Sequence, residues 1–306
     1  MDTPIVRIEN LSHRYSVQWA VRDINLEIRQ HGIYGLLGSN GAGKSTIMNI
    51  MCGVLKQTEG DIYIKGINTR IDPVEAKCHI GFLPQQPPLH PDLTVEEYLD
   101  YSARLRYIPH KEIPAAITEG VEKCGISHFR RRLIRNLSGG YQQRVGIAQA
   151  IIHNPDFIIL DEPTNGLDPN QIVEIRNLIK QIAQERTVIL STHILPEVQA
   201  TCEYIYMVEK GKMVFSGTVD EFDNYILPTT IRVTLLAHPT VEELTMIPGL
   251  VAAQHLGEMD YRLQFADARN MVDEIIETCG IHNWRLSQVY MEKSSLDVVF
   301  AELSKK

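Results

Sequence analysis

The sequence predicts an α/β fold built on a mostly parallel central sheet, and three observations carry that prediction. Ile33–Leu37, Phe157–Leu160 and Val188–Leu190 are short, unbroken apolar runs, the pattern of strands buried on both faces. Amphipathic helical patterns separate the later runs, which is the alternation of a doubly wound sheet. The first run leads through Gly38-Ser39-Asn40-Gly41-Ala42-Gly43-Lys44-Ser45-Thr46 into helical spacing at Ile47, Ile50, Met51 and Val54. That succession is strand, glycine loop, helix.

Along the chain, residues 5–9 and 24–28 read as strands flanking a turn-rich segment, and the strand–loop–helix unit occupies 33–55. Asp61-Ile62-Tyr63-Ile64 alternates after Glu59-Gly60 and reads as a further strand. From about 87 to 136 the character becomes helical. Thr94-Val95-Glu96-Glu97 is a capping box, followed at helical spacing by Val95, Tyr98, Leu99, Ser102 and Leu105. Pro114 sits near the start of a second helix, where proline is tolerated. Strand–helix alternation then resumes, with an amphipathic helix at 170–184. A boundary falls near 219–230, where Leu227-Pro228-Thr229-Thr230 breaks the pattern. Beyond it come strand 231–236, helix 239–247, strands 250–256 and 260–265, helix 268–279, strand 284–291 and helix 295–303. The order βαββαβ is that of a ferredoxin-like unit, with one extra terminal helix.

A chain of 306 residues suffices for one large domain and a small one. Its 44% hydrophobic and 22% charged content is ordinary for a soluble globular protein. The net charge of −8 argues against broad binding to nucleic acid, and Arg130-Arg131-Arg132 reads as a solvated face. No apolar run approaches the ~18 residues of a membrane span, and Met1-Asp2-Thr3-Pro4 lacks the features of a secretory signal. Cys52, Cys78, Cys124, Cys202 and Cys279 show no metal or redox spacing, so reduced, mostly buried thiols of a cytoplasmic protein are expected. The histidines show no zinc-protease pattern.

The glycine loop fits the phosphate-binding pattern G-x-x-x-x-G-K-[ST] without mismatch. Its glycines let backbone N–H groups close on phosphates, and the following helix turns its positive end to the same place. Lys44 is placed to reach the β- and γ-phosphates of a nucleotide, and Ser45 to hold Mg²⁺. A dinucleotide fingerprint fits less well, because Thr46 follows Gly43 where glycine or alanine is required. Asp161 and Glu162 end a buried strand that Pro163 stops. Ligands of parallel sheets bind at carboxyl strand ends, so Asp161 is placed to hold Mg²⁺ and Glu162 to orient or deprotonate an attacking water. Ser191-Thr192-His193 ends a third strand at the same edge, within reach of the γ-phosphate; which ring nitrogen of His193 faces it is open. Leu137-Ser138-Gly139-Gly140-Tyr141-Gln142-Gln143-Arg144 is a helix start. Ser138 there reads either as its cap or, with the glycine amides, as part of an anion site.

Glycine loop, LSGG-type segment, acidic strand end and later histidine, in unbroken order over roughly residues 5–220, resemble the nucleotide-binding subunit of an ABC transporter. The resemblance implies a P-loop NTPase cassette at 1–220, with a mostly parallel core sheet, an antiparallel β subdomain and a helical subdomain at about 87–150, followed by an accessory domain at 221–306. It implies two cassettes packed head to tail with ATP between the loop Gly38, Ser39, Asn40, Gly41, Ala42, Gly43, Lys44, Ser45, Thr46 of one copy and Ser138, Gly139 and Gly140 of the other. Phe82-Leu83-Pro84-Gln85 resembles the glutamine loop, with Gln85 reaching Mg²⁺ or the attacking water and Gln86 the lesser candidate. Asn165-Gly166-Leu167-Asp168 resembles the loop whose aspartate, here Asp168, crosses the interface. Tyr15 resembles the aromatic that stacks on adenine, with Trp19 its rival.

The implied catalytic residues are thus Glu162, His193 and Gln85, and the implied metal ligands Ser45, Gln85 and Asp161. The implied partners are a second copy in the ATP-bound state and integral membrane permease subunits, without nucleic acid or direct membrane insertion. The implied place is the cytoplasmic face of the membrane, held there by the permease. Tyr141 stands where the family more often has glutamine, and Asn165-Gly166 replaces Ser-Ala. Both resemble the branch paired with type-2 exporters, including those linked to gliding motility, sodium or drug export. Ser295-Leu296-Asp297-Val298-Val299-Phe300 resembles an ending of that branch. A non-transport cassette acting on ribosomes or nucleic acid is disfavoured by the single motif set, the lack of sustained heptads and the acidic balance. An unrelated P-loop kinase or GTPase leaves the LSGG segment unexplained. No cluster in the accessory domain suggests catalysis, and an interaction role is expected of it.

Overall fold

The computed structural model describes residues 3–226, 229–266, 270–292 and 296–304. The chain forms two compact units, Met1–Val219 and Asp220–Lys306. The first comprises β1 (Val6–Tyr15), β2 (Gln18–Ile28), β3 (Gly32–Leu37), α1 (Lys44–Met51), β4 (Glu59–Ile64), β5 (Ile67–Asn68), α2 (Pro73–Cys78), β6 (Ile80–Leu83), α3 (Val95–Leu105), α4 (Ile113–Lys123), α5 (Gly139–Ile151), β7 (Phe157–Asp161), α6 (Pro169–Ala183), β8 (Thr187–Thr192), α7 (Leu195–Thr201), β9 (Tyr204–Glu209) and β10 (Lys212–Thr218). The short α8 (Val219–Asp223) straddles the boundary. The second unit continues with β11 (Thr230–Leu235), α9 (Val241–Leu244), β12 (Leu250–Gly257), β13 (Asp260–Phe265), α10 (Met271–His282), β14 (Leu286–Glu292) and α11 (Leu296–Ser304).

The central sheet has the order β10-β9-β3-β8-β7-β6. It is parallel from β9 to β6, with β10 antiparallel at one edge. β7 and β8 are buried along their whole length, which is why they read as unbroken apolar runs. A second sheet, β2-β1-β4-β5, is antiparallel throughout. One hydrophobic core joins Ile8, Ile24 and Ile62 of that sheet, Ile47, Met48 and Met51 of α1, and Phe157, Ile159 and Ile189 of the central sheet. At about 1.5–3 kcal/mol for each fully buried large side chain, this core fixes α1, and with it the glycine loop, to both sheets.

β1 and β2 correct the expectation of two short strands around a turn-rich segment. They form one long hairpin that turns at residues 16–17. Pairing shifts register after Ile8, Leu11 and His13, and Asn10 and Asp23 take left-handed φ of 49° and 52°, so the alternation that marks a strand is interrupted. Val54 and Leu105 had matched helical spacing but are exposed. Val54 lies beyond the end of α1, after Gly53 at φ 64°, and Leu105 is the last residue of α3. The short β5, α2 and β6 lacked enough periodicity to be seen. The capping box of α3 is formed: Glu97 N–H donates to Thr94 Oγ1 (3.3 Å) and Thr94 N–H to Glu97 Oε2 (2.8 Å). Of the basic triplet, Arg130 pairs with Glu96 at 2.8 Å and Arg132 lies over the Phe129 ring. All five cysteines are free thiols, and only Cys78 is exposed. Among the described residues no helix is long and apolar enough to cross a membrane.

In the second unit the sheet order is β12-β13-β11-β14, antiparallel throughout, the strand arrangement of a ferredoxin-like βαββαβ unit. Ile231, Val233, Tyr261 and Leu263 of the sheet pack with Met271, Ile275 and Cys279 of α10. The helix expected at 239–247 is the four-residue α9, started by a Thr240–Glu243 capping box and followed by Gly249 at φ 76°. The helix expected at 268–279 runs from Met271 to His282, with Asn283 as its C-cap at φ 53°. Leu227 and Pro228 of the expected break, and Ser295 of the C-terminal motif, lie outside the described residues.

The helices α3 and α4 pack against α5, and α5 lies on β6 so closely that a Cβ at Gly81 would come within 2.2 Å of the Ala150 carbonyl oxygen. Backbone cannot yield as a side chain would. Gly81→Ala is therefore expected to destabilise the chain by about 1–3 kcal/mol, read as a lower urea midpoint at unchanged slope; a wild-type midpoint would refute the close approach.

Candidate active site

Parallel register brings three strand ends to one level. Leu36 pairs with Ser191, Leu37 with Thr192, and Asp161 with Ser191. The residues after β3, β7 and β8 thus emerge together at the carboxyl edge of the sheet, where ligands of such sheets bind. A cleft of about 920 Å³ opens there. Asn40, Gly41, Gly43, Lys44, Ser45 and Thr46 line it, with Gln85, Asp161, Glu162, Asn165, Ser191 and His193, and with Tyr15, Gln18 and Trp19 of the first hairpin. Gly38, Ser39 and Ala42 do not line it but shape the loop.

The loop depends on its glycines. Gly38 and Gly43 take φ of 155° and 113°. A Cβ would lie 2.1 Å from the Val208 carbonyl oxygen at the first and 2.5 Å from Val21 Cγ1 at the second. Gly43 occupies the N-cap of α1 and offers no capping side chain, so the first-turn N–H groups face the cleft end as anion donors. Lys44 is buried, and its Nζ donates to the carbonyl oxygens of Gly38 (2.9 Å) and Ser39 (3.0 Å). Burial pushes its pKa down, against the attraction of Glu162, Asp161 and Glu209. Ser39 in turn donates to Glu209 through N–H (3.3 Å) and Oγ (2.8 Å). Sequence reasoning missed Glu209; its one available signal was an acidic residue closing an apolar strand.

Glu162 is the most heavily tied residue of the cleft. Its backbone is left-handed, φ 46°, and its N–H donates to the Ser191 carbonyl (3.0 Å). Its Oε2 accepts from Gln85 Nε2 (2.7 Å) and Asn165 Nδ2 (3.3 Å), and its Oε1 faces His193 Nδ1 at 2.8 Å. An ionised carboxylate only accepts, so the proton sits on Nδ1 and Nε2 is the nitrogen left to meet a ligand. Asn165 was not among the anticipated site residues; its replacement of the more usual serine was the only hint.

Asp161 is buried beside Lys44. Burial raises its pKa, the neighbouring Glu162 adds to the rise, and the Ser191 hydroxyl, Lys44 and Ser45 oppose it. Asp161, the Ser45 hydroxyl and the Gln85 carbonyl are oxygen donors, which suit a hard divalent cation. Among the described residues no group of three or more His, Cys, Asp or Glu could hold a metal by itself. This donor set therefore fits a cation that also binds phosphate oxygens.

Other anticipated residues stand apart from the cleft. Ser138, Gly139 and Gly140 do not line it, and neither do Asp168 or Gln86. Ser138 holds the N-cap position of α5, but of the two readings open for it the side-chain cap is not made; Ser138 and Gly139 are exposed, while Gly140 is buried. Asp168 caps α6, its Oδ1 accepting from the N–H groups of Asn170 and Gln171, both at 3.0 Å. A Cβ at Gly140 would meet the Gln171 side chain at 2.7 Å, so the starts of α5 and α6 adjoin. Tyr141 packs edge-on against Phe129 (4.5 Å) and His128 (5.8 Å). Tyr15 is 53% exposed, whereas Trp19 is flanked by the guanidiniums of Arg14 and Arg22, so Tyr15 has the more open ring face.

Comparison with known proteins matches residues 21–165 to the family described as ABC transporter. The bacitracin transport ATP-binding protein BcrA of Bacillus licheniformis is 38% identical over 212 residues, 69% of this chain and 68% of that protein. The ABC transporter ATP-binding protein NatA of Bacillus subtilis (strain 168) is 36% identical over 66% of this chain and 82% of its own length. Among solved structures, the dimeric post-hydrolysis state of the ATP-binding cassette MJ0796 bound to ADP and Pi superposes with a TM-score of 0.63 at 29% identity, covering 70% of this chain and 98% of that one. The family match and the identity to BcrA and NatA over two thirds or more of their lengths, with a glycine loop beside two strand-end carboxylates in this fold, mean that the chain belongs to the ABC transporter family as an ATP-binding, ATP-hydrolysing subunit.

Proposed function

We propose that two copies of this chain close head to tail on ATP and that hydrolysis between them drives a separate integral membrane permease, as the motor of an exporter. One observation supports this reading: the glycine loop and a second glycine-led helix start lie apart in the single chain. The cleft holds Lys44 and Glu162, while the helix start at Ser138, Gly139 and Gly140 is uncapped, partly exposed and outside the cleft. Each is half of a triphosphate site, and a twofold pairing yields two whole ones. Asp168, at the adjoining start of α6, would then lie at the interface. The relatives BcrA and NatA, together with Tyr141 and Asn165-Gly166, support the exporter branch.

In this reading residues 1–220 are the cassette, its helical part at about 87–150 docks the permease, and residues 221–306 are an accessory interaction domain. The subunit works on the cytoplasmic face of the membrane, held there by the permease, with no nucleic acid partner.

On nucleotide binding, Lys44 exchanges the Gly38 and Ser39 carbonyls for the β- and γ-phosphates, whose charge offsets the burial of its ammonium. Loop amides and the start of α1 surround the same phosphates, and the Tyr15 ring stacks on adenine. Ser45 and Asp161, with Gln85 directly or through water, would hold Mg²⁺, which would supply positive charge to offset that of the phosphates. Glu162 orients the attacking water and takes its proton. His193 holds Glu162 through Nδ1 and meets the γ-phosphate through Nε2. The Ser138 hydroxyl and the Gly139 and Gly140 amides close over that phosphate from the other copy, so its loss lets the halves part.

Glu162→Gln is expected to slow turnover by about 10²–10⁴-fold while keeping ATP binding, and to elute as a dimer with Mg-ATP on size exclusion; elution only as monomer would overturn the closed pairing. Ser138→Arg should abolish hydrolysis while each monomer binds ATP as tightly as wild type. Normal turnover in that variant would refute the contribution from the second copy.

Asp161 gives a pH test. Its folded pKa lies above the ordinary 3.8, so its contribution to stability is present below that value and is lost as pH rises through the folded pKa. Near neutral pH, Asp161→Asn should therefore leave the nucleotide-free chain at least as heat-stable as wild type, yet remove the Mg²⁺-dependent part of the stabilisation by ATP. A destabilised nucleotide-free variant with that part intact would contradict both assignments.

A further inference from the structure

The carboxylate of Glu197 takes no part in the mechanism above, yet it is among the most buried acidic groups of the chain, 4% exposed, on α7. Its Oε1 accepts from Thr164 Oγ1 at 2.7 Å and its Oε2 from Thr192 Oγ1 at 3.0 Å. Arg176 of α6 faces Oε1 at 3.8 Å. Burying an anion is costly unless hydrogen bonds and a counter-charge satisfy it, and here all three partners belong to segments that carry site residues.

Thr164 lies in the turn that follows Glu162. That turn is closed by the Asn165 N–H to the Glu162 carbonyl (3.1 Å) and the Leu167 N–H to the Thr164 carbonyl (3.3 Å). Thr192 immediately precedes His193, and its Oγ1 also accepts from the Ile194 N–H at 3.0 Å, so the backbone around His193 is bracketed. Arg176 sits on the helix that Asp168 begins. One carboxylate thus ties together the two backbone turns whose side chains meet as the Glu162–His193 pair.

We infer that Glu197 is a positioning residue for ATP hydrolysis: by clamping Thr164 and Thr192 it holds His193 Nδ1 on Glu162 Oε1, and with it the orientation of the catalytic carboxylate. This rests on the roles given to Glu162 and His193 above. Because Glu197 lines no part of the cleft, its loss acts on the rate of the bound complex and leaves nucleotide affinity alone. A glutamine at 197 keeps one acceptor for Thr164 and offers its amide to the Thr192 oxygen, so it preserves the clamp.

The test is steady-state ATPase kinetics of the full chain, with ATP affinity measured separately by a fluorescent analogue, for Glu197→Ala, Glu197→Gln, Thr164→Val, His193→Ala and the Glu197→Ala/His193→Ala pair. Glu197→Ala is expected to lower kcat about 10–100-fold with KM and affinity within about twofold, Glu197→Gln to stay within about threefold of wild type, and Glu197→Ala to add less than about twofold to the loss caused by His193→Ala. A slow His193→Ala enzyme on which Glu197→Ala imposes its full further loss overturns this inference alone. So does a KM that rises as kcat falls. If Glu197→Ala does not fold, Thr164→Val, which removes one arm of the clamp without unpairing Arg176, decides: reduced kcat at unchanged KM supports the clamp, and a wild-type rate overturns it. A wild-type rate in His193→Ala alone overturns the assignment of His193, and this inference with it.

Discussion

Asp161 and Glu162 close a strand buried on both faces beside the buried ammonium of Lys44, which donates to loop carbonyls and not to them, and the rest of the site is arranged around that imbalance. Asp161 is pushed towards its neutral form by burial, Lys44 likewise, and each is drawn back towards its charge by the other. Neither is matched by the chain alone: Lys44 turns to loop carbonyls, and Asp161 lies beside the Ser191 hydroxyl without a hydrogen bond to it. A triphosphate with a divalent cation brings the charges that both groups lack. Affinity for that ligand and discomfort without it have the same electrostatic origin.

Glu162 shows how such a site keeps an unfavourable backbone. A left-handed non-glycine residue costs about 1–3 kcal/mol. Hydrogen bonds to a charged group return about 1.5–3 kcal/mol each, and the Glu162 carboxylate has close partners in Gln85 and His193, with Asn165 more distant. The side-chain bonds outweigh the strain. The strain is also useful, because the sharp turn aims the carboxylate across the ends of β7 and β8 instead of along the strand.

The parts of this arrangement that were legible in the sequence are those fixed by local covalent constraint. The glycine loop is legible because at Gly38 and Gly43 no side chain fits. The strand ends are legible because unbroken apolar runs give way at Asp161 and Ser191, and the start of α3 because the halves of its capping box, Thr94 and Glu97, lie three residues apart. What stayed hidden depends on contacts between distant segments. Glu209 meets Ser39 across 170 positions, and Glu197 meets Thr164 across 33; neither pair carries a periodicity. The first hairpin was hidden for a different reason: its bulges shift the pairing and erase the alternation on which strand recognition relies. Ser138 shows a third limit. Its position at a helix start was readable, but whether its hydroxyl turns to the helix or away is a matter of rotamer.

That outcome at Ser138 bears on the proposal that a second copy completes each site. A capped helix start has its donors satisfied within the chain and has little to gain from an incoming phosphate. An uncapped one, with glycines in its first turn, keeps its donors in exchange with water, and the free-energy gap to a bound anion stays open. The same holds for α1, whose N-cap is Gly43 and likewise has no capping side chain. Four helix starts of the first unit, those of α1, α4, α5 and α7, have no side-chain cap, while α2, α3 and α6 are capped by Asp72, Thr94 and Asp168; α4 and α7 carry proline in the first turn, whereas α1 and α5 are led by glycine. Capping is ordinarily worth about 1 kcal/mol per helix, so its absence at both of these glycine-led helices is a concession in stability at the two places where the proposed triphosphate would be gripped.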